Sequence, residues 1–123
     1  MTIALWCVLA AGLLPYAATL TAKGGARFDN RNPRAWLALQ TGWRARAHAA
    51  QQNGFEAFPL FAAAVLVAHQ LHAPQGRVDA LALVFVAARI AYLGAYLADL
   101  HLLRSVVWAV GIGSAVAIFL SGT

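Results

Sequence analysis

Cysteine occurs once in this chain of 123 residues, at Cys7, so neither an internal disulfide framework nor a cysteine-built metal site can form within one chain. Carboxylates are nearly as scarce: Asp29, Glu56, Asp79 and Asp99 are all there are, against nine Lys and Arg. None lies in the N-terminal apolar run, which argues against transport coupled through a carboxylate in a first helix. Charged residues make up 11% of the chain and hydrophobic ones 62%, with a mean hydropathy of +0.68. So much apolar surface on one compact unit requires lipid as its solvent. No soluble domain is left to bind nucleic acid.

The apolar residues fall into runs of membrane-crossing length. Thr2 to Thr21 is twenty residues without a charge and Ser105 to Thr123 is nineteen, close to the ~20 that cross a bilayer as helix. Two less pure stretches lie between them, one carrying Glu56 and the other Arg89. The reading is therefore a single all-α domain over 1–123, an integral membrane four-helix bundle with spans near 2–21, 53–71, 80–98 and 104–122. A removable signal peptide would need a basic stretch ahead of its apolar core, and the first span has none. Pro33 suits a first helical turn, so the second helix is expected to start there and run unbroken to Leu71, about 55 Å, with Arg44, Arg46 and His48 in the cytoplasm. His72 to Gly76 forms a compact turn, and Lys23-Gly24-Gly25 a flexible, charged exit from the first helix.

Orientation follows from the cations, which concentrate in cytoplasmic loops. Seven of the eight Lys and Arg outside the spans fall on one side, Arg77 alone on the other. Both termini are accordingly expected outside, and the net charge of +5 is accounted for by topology and contact with anionic lipid.

Arg46, Asn53 and Glu56, at i, i+7 and i+10, lie within roughly 80° of one another on a helix. Arg89, Tyr92 and Tyr96, at i, i+3 and i+7, form a second stripe that converges on the same level. A charge at a helix centre costs about 2.5 to 3.5 kcal/mol even on insertion scales, so Arg89 and Glu56 are expected to face protein and to pair with each other. Such a pair could be only a clamp on helix register. Asn53, Tyr92, Tyr96, Arg46 and Arg104 add a cationic, hydroxyl-lined funnel that a clamp does not need. It suits an anionic, amide-rich ligand, because Arg binds carboxylates bidentately, Asn pairs with peptide groups, and a Tyr or Arg beside a thiol favours the thiolate.

The run from Arg44-Ala45-Arg46 through Asn53-Gly54-Phe55-Glu56-Ala57-Phe58-Pro59 resembles the second-helix signature of the MAPEG family, membrane-associated proteins in eicosanoid and glutathione metabolism. Arg89, Tyr92, Tyr96 and Arg104-Ser105 are similar to that family's third-helix pattern and fourth-helix arginine, so the resemblance covers essentially the whole chain. It implies a homotrimer, in the manner of bacterial inner-membrane members, that binds glutathione as co-substrate between subunits and receives a lipophilic electrophile from the bilayer. It also implies glutathione contacts for Arg46, Asn53, Glu56, Arg89, Tyr92 and Tyr96, and thiolate stabilisation by Arg104, with no metal. Ala49 stands where glutathione-binding members usually have another Arg, and Ala57 where some have a Tyr. Tyr96 to Arg104 is one residue longer than the family pattern. A membrane protein that keeps this fold without the enzyme therefore stays open as the alternative.

Other residues carry blander readings. His69 and His72 share a helical face but have no third ligand, so interfacial histidines are expected rather than a metal site. Trp6, Trp36, Trp43 and Trp108 read as interfacial anchors or packing. Ser105 reads as a helix cap.

Overall fold

The computed structural model describes residues 1–123 and is helical throughout, without a β-strand. The first helix, α1 (Ile3–Lys23), opens on Thr2, whose extended backbone and hydroxyl, accepting the Leu5 N–H at 3.3 Å, make an N-cap. Then follow α2 (Pro33–Ala38), α3 (Gly42–Gln70), α4 (Gln75–Leu97) and α5 (His101–Phe119), the last closed by a 3₁₀ turn, Leu120–Gly122. Ile3–Lys23, Gln75–Leu97 and His101–Gly122 are long and apolar enough to cross a membrane. The 29-residue α3 is not among them, because its first half carries Arg44, Arg46, His48, Gln51, Gln52 and Asn53.

The expected unbroken helix from Pro33 to Leu71 is divided. Leu39 to Thr41 leave the helix, and Gly42 takes φ +60, a left-handed conformation that a side chain resists. The short α2 can therefore fold back on the start of α3, burying Leu37 with Ala22 and Ala47. The exit from α1 is also more ordered than a glycine pair suggests. Lys23 Nζ sits 4.1 Å over the Phe28 ring, Phe28 meets Trp36 edge to face at 5.0 Å, and Trp36 Nε1 donates to the Arg27 carbonyl at 3.1 Å. Arg44 Nη2 donates to the Gly24 carbonyl at 2.8 Å, tying the loop to α3.

Two short turns fold α3, α4 and α5 back on each other, and both close in the same way. Beyond α3, His72 is left-handed (φ 55), its N–H bonds the His69 carbonyl at 3.1 Å, and Ala73 N–H bonds the Ala68 carbonyl at 2.9 Å. Beyond α4, Asp99 (φ 59) and Leu100 repeat the pattern onto Tyr96 and Ala95 at 3.1 and 2.8 Å. Each is a Schellman cap that satisfies carbonyls a helix end leaves unpaired, here without the usual glycine.

α1 packs on α3 and α4, α4 on α5, and α3 touches all three. Small residues permit this closeness, with Ala57, Ala64, Ala68, Ala82 and Ala115 buried around a stacked pair, Phe61 and Phe85, whose centroids are 3.9 Å apart. At Gly54 a Cβ would lie 2.8 Å from the Pro15 ring of α1. Replacing Gly54 with valine is expected to wedge α1 from α3 and cost about 1 to 3 kcal/mol as overpacking, read as a lower melting temperature in detergent. An unchanged melt would mean that α1 can shift at Pro15 without loss.

Both termini lie at the α3–α4 end, where Gly122 rests against Leu71 and Asp79 of α4 caps α1. Asp79 Oδ1 accepts the Ala4 N–H at 2.8 Å and the Gln75 amide at 2.7 Å, so a carboxylate holds a free amide of the α1 start. Replacing Asp79 with alanine should lower stability by about 1 to 2 kcal/mol, the usual loss of a cap. Hydrogen exchange should speed up at the first turn of α1, and equal exchange in both proteins would show that water replaces the carboxylate freely.

Candidate functional site

The opposite end gathers the basic residues. Arg89 points inward from α4 and is 5% exposed. Its Nη2 donates to Asn53 Oδ1 on α3 at 2.8 Å, and Asn53 Nδ2 donates in turn to Glu56 Oε2 at 3.4 Å. The expected direct pairing of Arg89 with Glu56 is thus replaced by a relay through Asn53. An amide can accept on one side and donate on the other, so the carboxylate keeps its place on the exposed surface of α3 while only the guanidinium is enclosed. Arg89 Nη1 is buried without a partner. Arg89 and Tyr92 also line a small, partly open pocket of about 20 Å³, otherwise walled by groups such as Leu14, Pro15, Phe58 and Phe85, with room for about one water.

From Arg89 a ladder of alternating cations and rings leads to the surface. The Arg89 guanidinium lies 4.2 Å from the Tyr92 ring centroid. Tyr92 and Tyr96 meet edge to face at 5.6 Å, and Arg104 of α5 lies 4.3 Å over Tyr96. The ladder borders a groove of about 440 Å³ lined by Asn53, Tyr92, Arg104, Ser105, Trp108 and Ala109. Its lining combines amide, guanidinium and hydroxyl groups with the apolar surfaces of Trp108 and Ala109. It can take a molecule with an anionic head and a hydrophobic partner beside it.

Asn53, Glu56, Arg89, Tyr92, Tyr96 and Arg104 are therefore brought together, directly or through one another. Arg46 is not. Its Nε and Nη2 donate to the Leu97 carbonyl at 3.4 and 3.2 Å, so it caps the end of α4 next to the site and shares no hydrogen bond with Asn53 or Glu56. Ser105 Oγ donates to the His101 carbonyl at 3.1 Å, inside α5, rather than capping its start. Trp108, taken in sequence as an anchor, lines the groove, and its position one turn past Arg104 on the same face was the available signal. No group of three or more His, Cys, Asp or Glu is placed to hold a metal ion.

A membrane-helical fold with a buried arginine relay and a basic groove at one end defines the class of protein. The chain matches the MAPEG family over residues 3–122 and belongs to that family. No curated relative and no solved structure matches it. Family membership and the three membrane-length helices together make it an integral membrane protein.

Proposed function

We propose that this chain is a membrane-bound, glutathione-dependent transferase or peroxidase-like enzyme acting on lipophilic electrophiles. The observation that carries the reading is the placement of Arg104, over the Tyr96 ring and lining one groove with Asn53 and Tyr92. In this reading α3 is a fourth span, the helices form a four-helix bundle with both termini outside, and three copies assemble around glutathione sites between subunits. Asn53, Glu56, Arg89, Tyr92 and Tyr96 form the glutathione site, Asn53 and Tyr92 facing the groove and Arg89 holding Asn53 from behind, with Arg46 holding the end of α4 beside it. Arg104 stabilises the thiolate after the thiol proton passes to water. The sulfur then donates its electron pair to the electrophilic carbon, a C–S bond forms, and the leaving group departs with the pair from the bond that breaks. Positioning and electrostatics supply the catalysis.

The engagement of Arg46 by Leu97, with alanines at Ala49 and Ala57, favours a second reading, a family member that keeps the fold without thiol chemistry. Titrating the detergent-purified protein with glutathione while following thiolate absorbance separates the two. A saturable thiolate band at neutral pH is expected, and no binding at millimolar thiol would select the second reading.

A further inference from the structure

Resting on the thiol chemistry proposed above, we infer that Tyr96 is a positioning residue that acts through the face of its ring, not through its hydroxyl, to set the pose of Arg104. No hydrogen bond or ion pair within the chain holds the Arg104 guanidinium, and its defining contact is the Tyr96 ring at 4.3 Å. A flexible side chain so lightly tethered would otherwise sample many rotamers. Stacking removes that freedom in a way useful to catalysis. A guanidinium laid on a ring engages through its flat face, so its in-plane N–H groups stay free to point at an anion in the groove.

The ring is itself fixed. Tyr96 belongs to the last turn of α4 and Arg104 to the first turn of α5, and the bonds from Asp99 N–H to the Tyr96 carbonyl and from Leu100 N–H to the Ala95 carbonyl, 3.1 and 2.8 Å, set the geometry between them. Behind Tyr96 stands Tyr92, 6% exposed and stacked in turn on Arg89. The most buried cation of the chain therefore anchors the ring that orients the most accessible cation of the groove. The eight-residue step from Tyr96 to Arg104 carries the chain through the left-handed turn at Asp99, and the stack brings the guanidinium back to α4.

The test uses the full-length protein in detergent with Tyr96→Phe and Tyr96→Leu. Two readouts are taken: the rate at which phenylglyoxal modifies Arg104, followed by peptide mass spectrometry without thiol, and the pH midpoint of glutathione thiolate formation. Phenylalanine keeps the ring face and is expected to preserve the modification rate, whatever it does to glutathione binding. Leucine should expose the guanidinium, raise its modification rate about three- to tenfold and move the thiolate midpoint to higher pH. Equal behaviour of the two variants, or a leucine variant matching wild type in both readouts, overturns the inference. Should the leucine variant fail to fold, Tyr96→Trp offers a better cation-binding face, and modification slower than wild type is expected; an equal or faster rate counts against the stack. A thiolate midpoint in wild type equal to that of free glutathione would refute the enzyme reading alone, since the modification rates need no thiol and still decide whether Tyr96 holds Arg104.

Discussion

Replacing Asn53 with leucine is expected to destabilise the protein by about 1.5 to 3 kcal/mol, the cost of taking from a buried charge its hydrogen-bond partner. The side chains are similar in size, so little of the effect comes from volume. Asn53 supplies the one hydrogen-bond acceptor that Arg89 has, at 2.8 Å, and a second guanidinium nitrogen is already unpaired. Leucine would strand the whole group in a wall of Pro15, Phe58 and Phe85. Asparagine to aspartate is the informative control, since a carboxylate at this position meets Arg89 directly and should retain most of the stability. Removing the charge as well, with Arg89→Met on the Asn53→Leu background, should recover part of the loss, a coupling expected between residues in contact. Melting curves of the four proteins form the cycle. Additive losses would show that the amide and the guanidinium do not depend on each other, and the relay would lose its meaning.

Replacing Arg104 with leucine should do nearly the reverse: a small change in stability and a large one in chemistry. Arg104 is half-buried at a groove mouth, and its loss leaves no buried polar group without a partner. If it stabilises the thiolate, kcat/KM for conjugation should fall about 10²- to 10³-fold, as when one donor to a developing anion is removed. Because the interaction is stronger with the thiolate than with the thiol, binding of glutathione in its thiol form should change far less than turnover. Steady-state kinetics with a soluble aryl electrophile, beside a melt, check both halves. A variant that melts as wild type and turns over within twofold of it would place thiolate stabilisation elsewhere in the groove.

Much of this was legible in the chain itself. The apolar runs around α1, α4 and α5 were visible as stretches of nearly pure hydrocarbon side chains, and the stripes Asn53–Glu56 and Arg89–Tyr92–Tyr96 followed from helical spacing alone. What sequence spacing could not supply was the third dimension of each contact. It placed Arg89 and Glu56 at one level and paired them, since two opposite charges in lipid invite pairing; the amide that separates them needed the relative rotation of α3 and α4. It placed Arg46 on the polar stripe, but the Leu97 carbonyl that captures it lies fifty-one residues away on another helix. The turn at His72 to Gly76 was legible, but the left-handed caps that close both helix ends were hidden for a local reason. His72 and Asp99 do a glycine's work at the left-handed position, so neither helix end carried its usual mark. The division of α2 from α3 did carry one, Gly42, which reads equally well as a tolerated glycine in a continuous helix.

The cap on α1 also bears on the order of events as the chain is made. The Ala4 amide receives its partner from Asp79, seventy-five residues later, and therefore only after α2, α3 and the start of α4 have been synthesised. Until then the start of α1 has no protein acceptor for that amide, and in hydrocarbon such a group costs several kcal/mol. That end of α1 is therefore better placed in water until Asp79 is present. The register of α1 against α4 is thus closed by a residue made well after α1 itself.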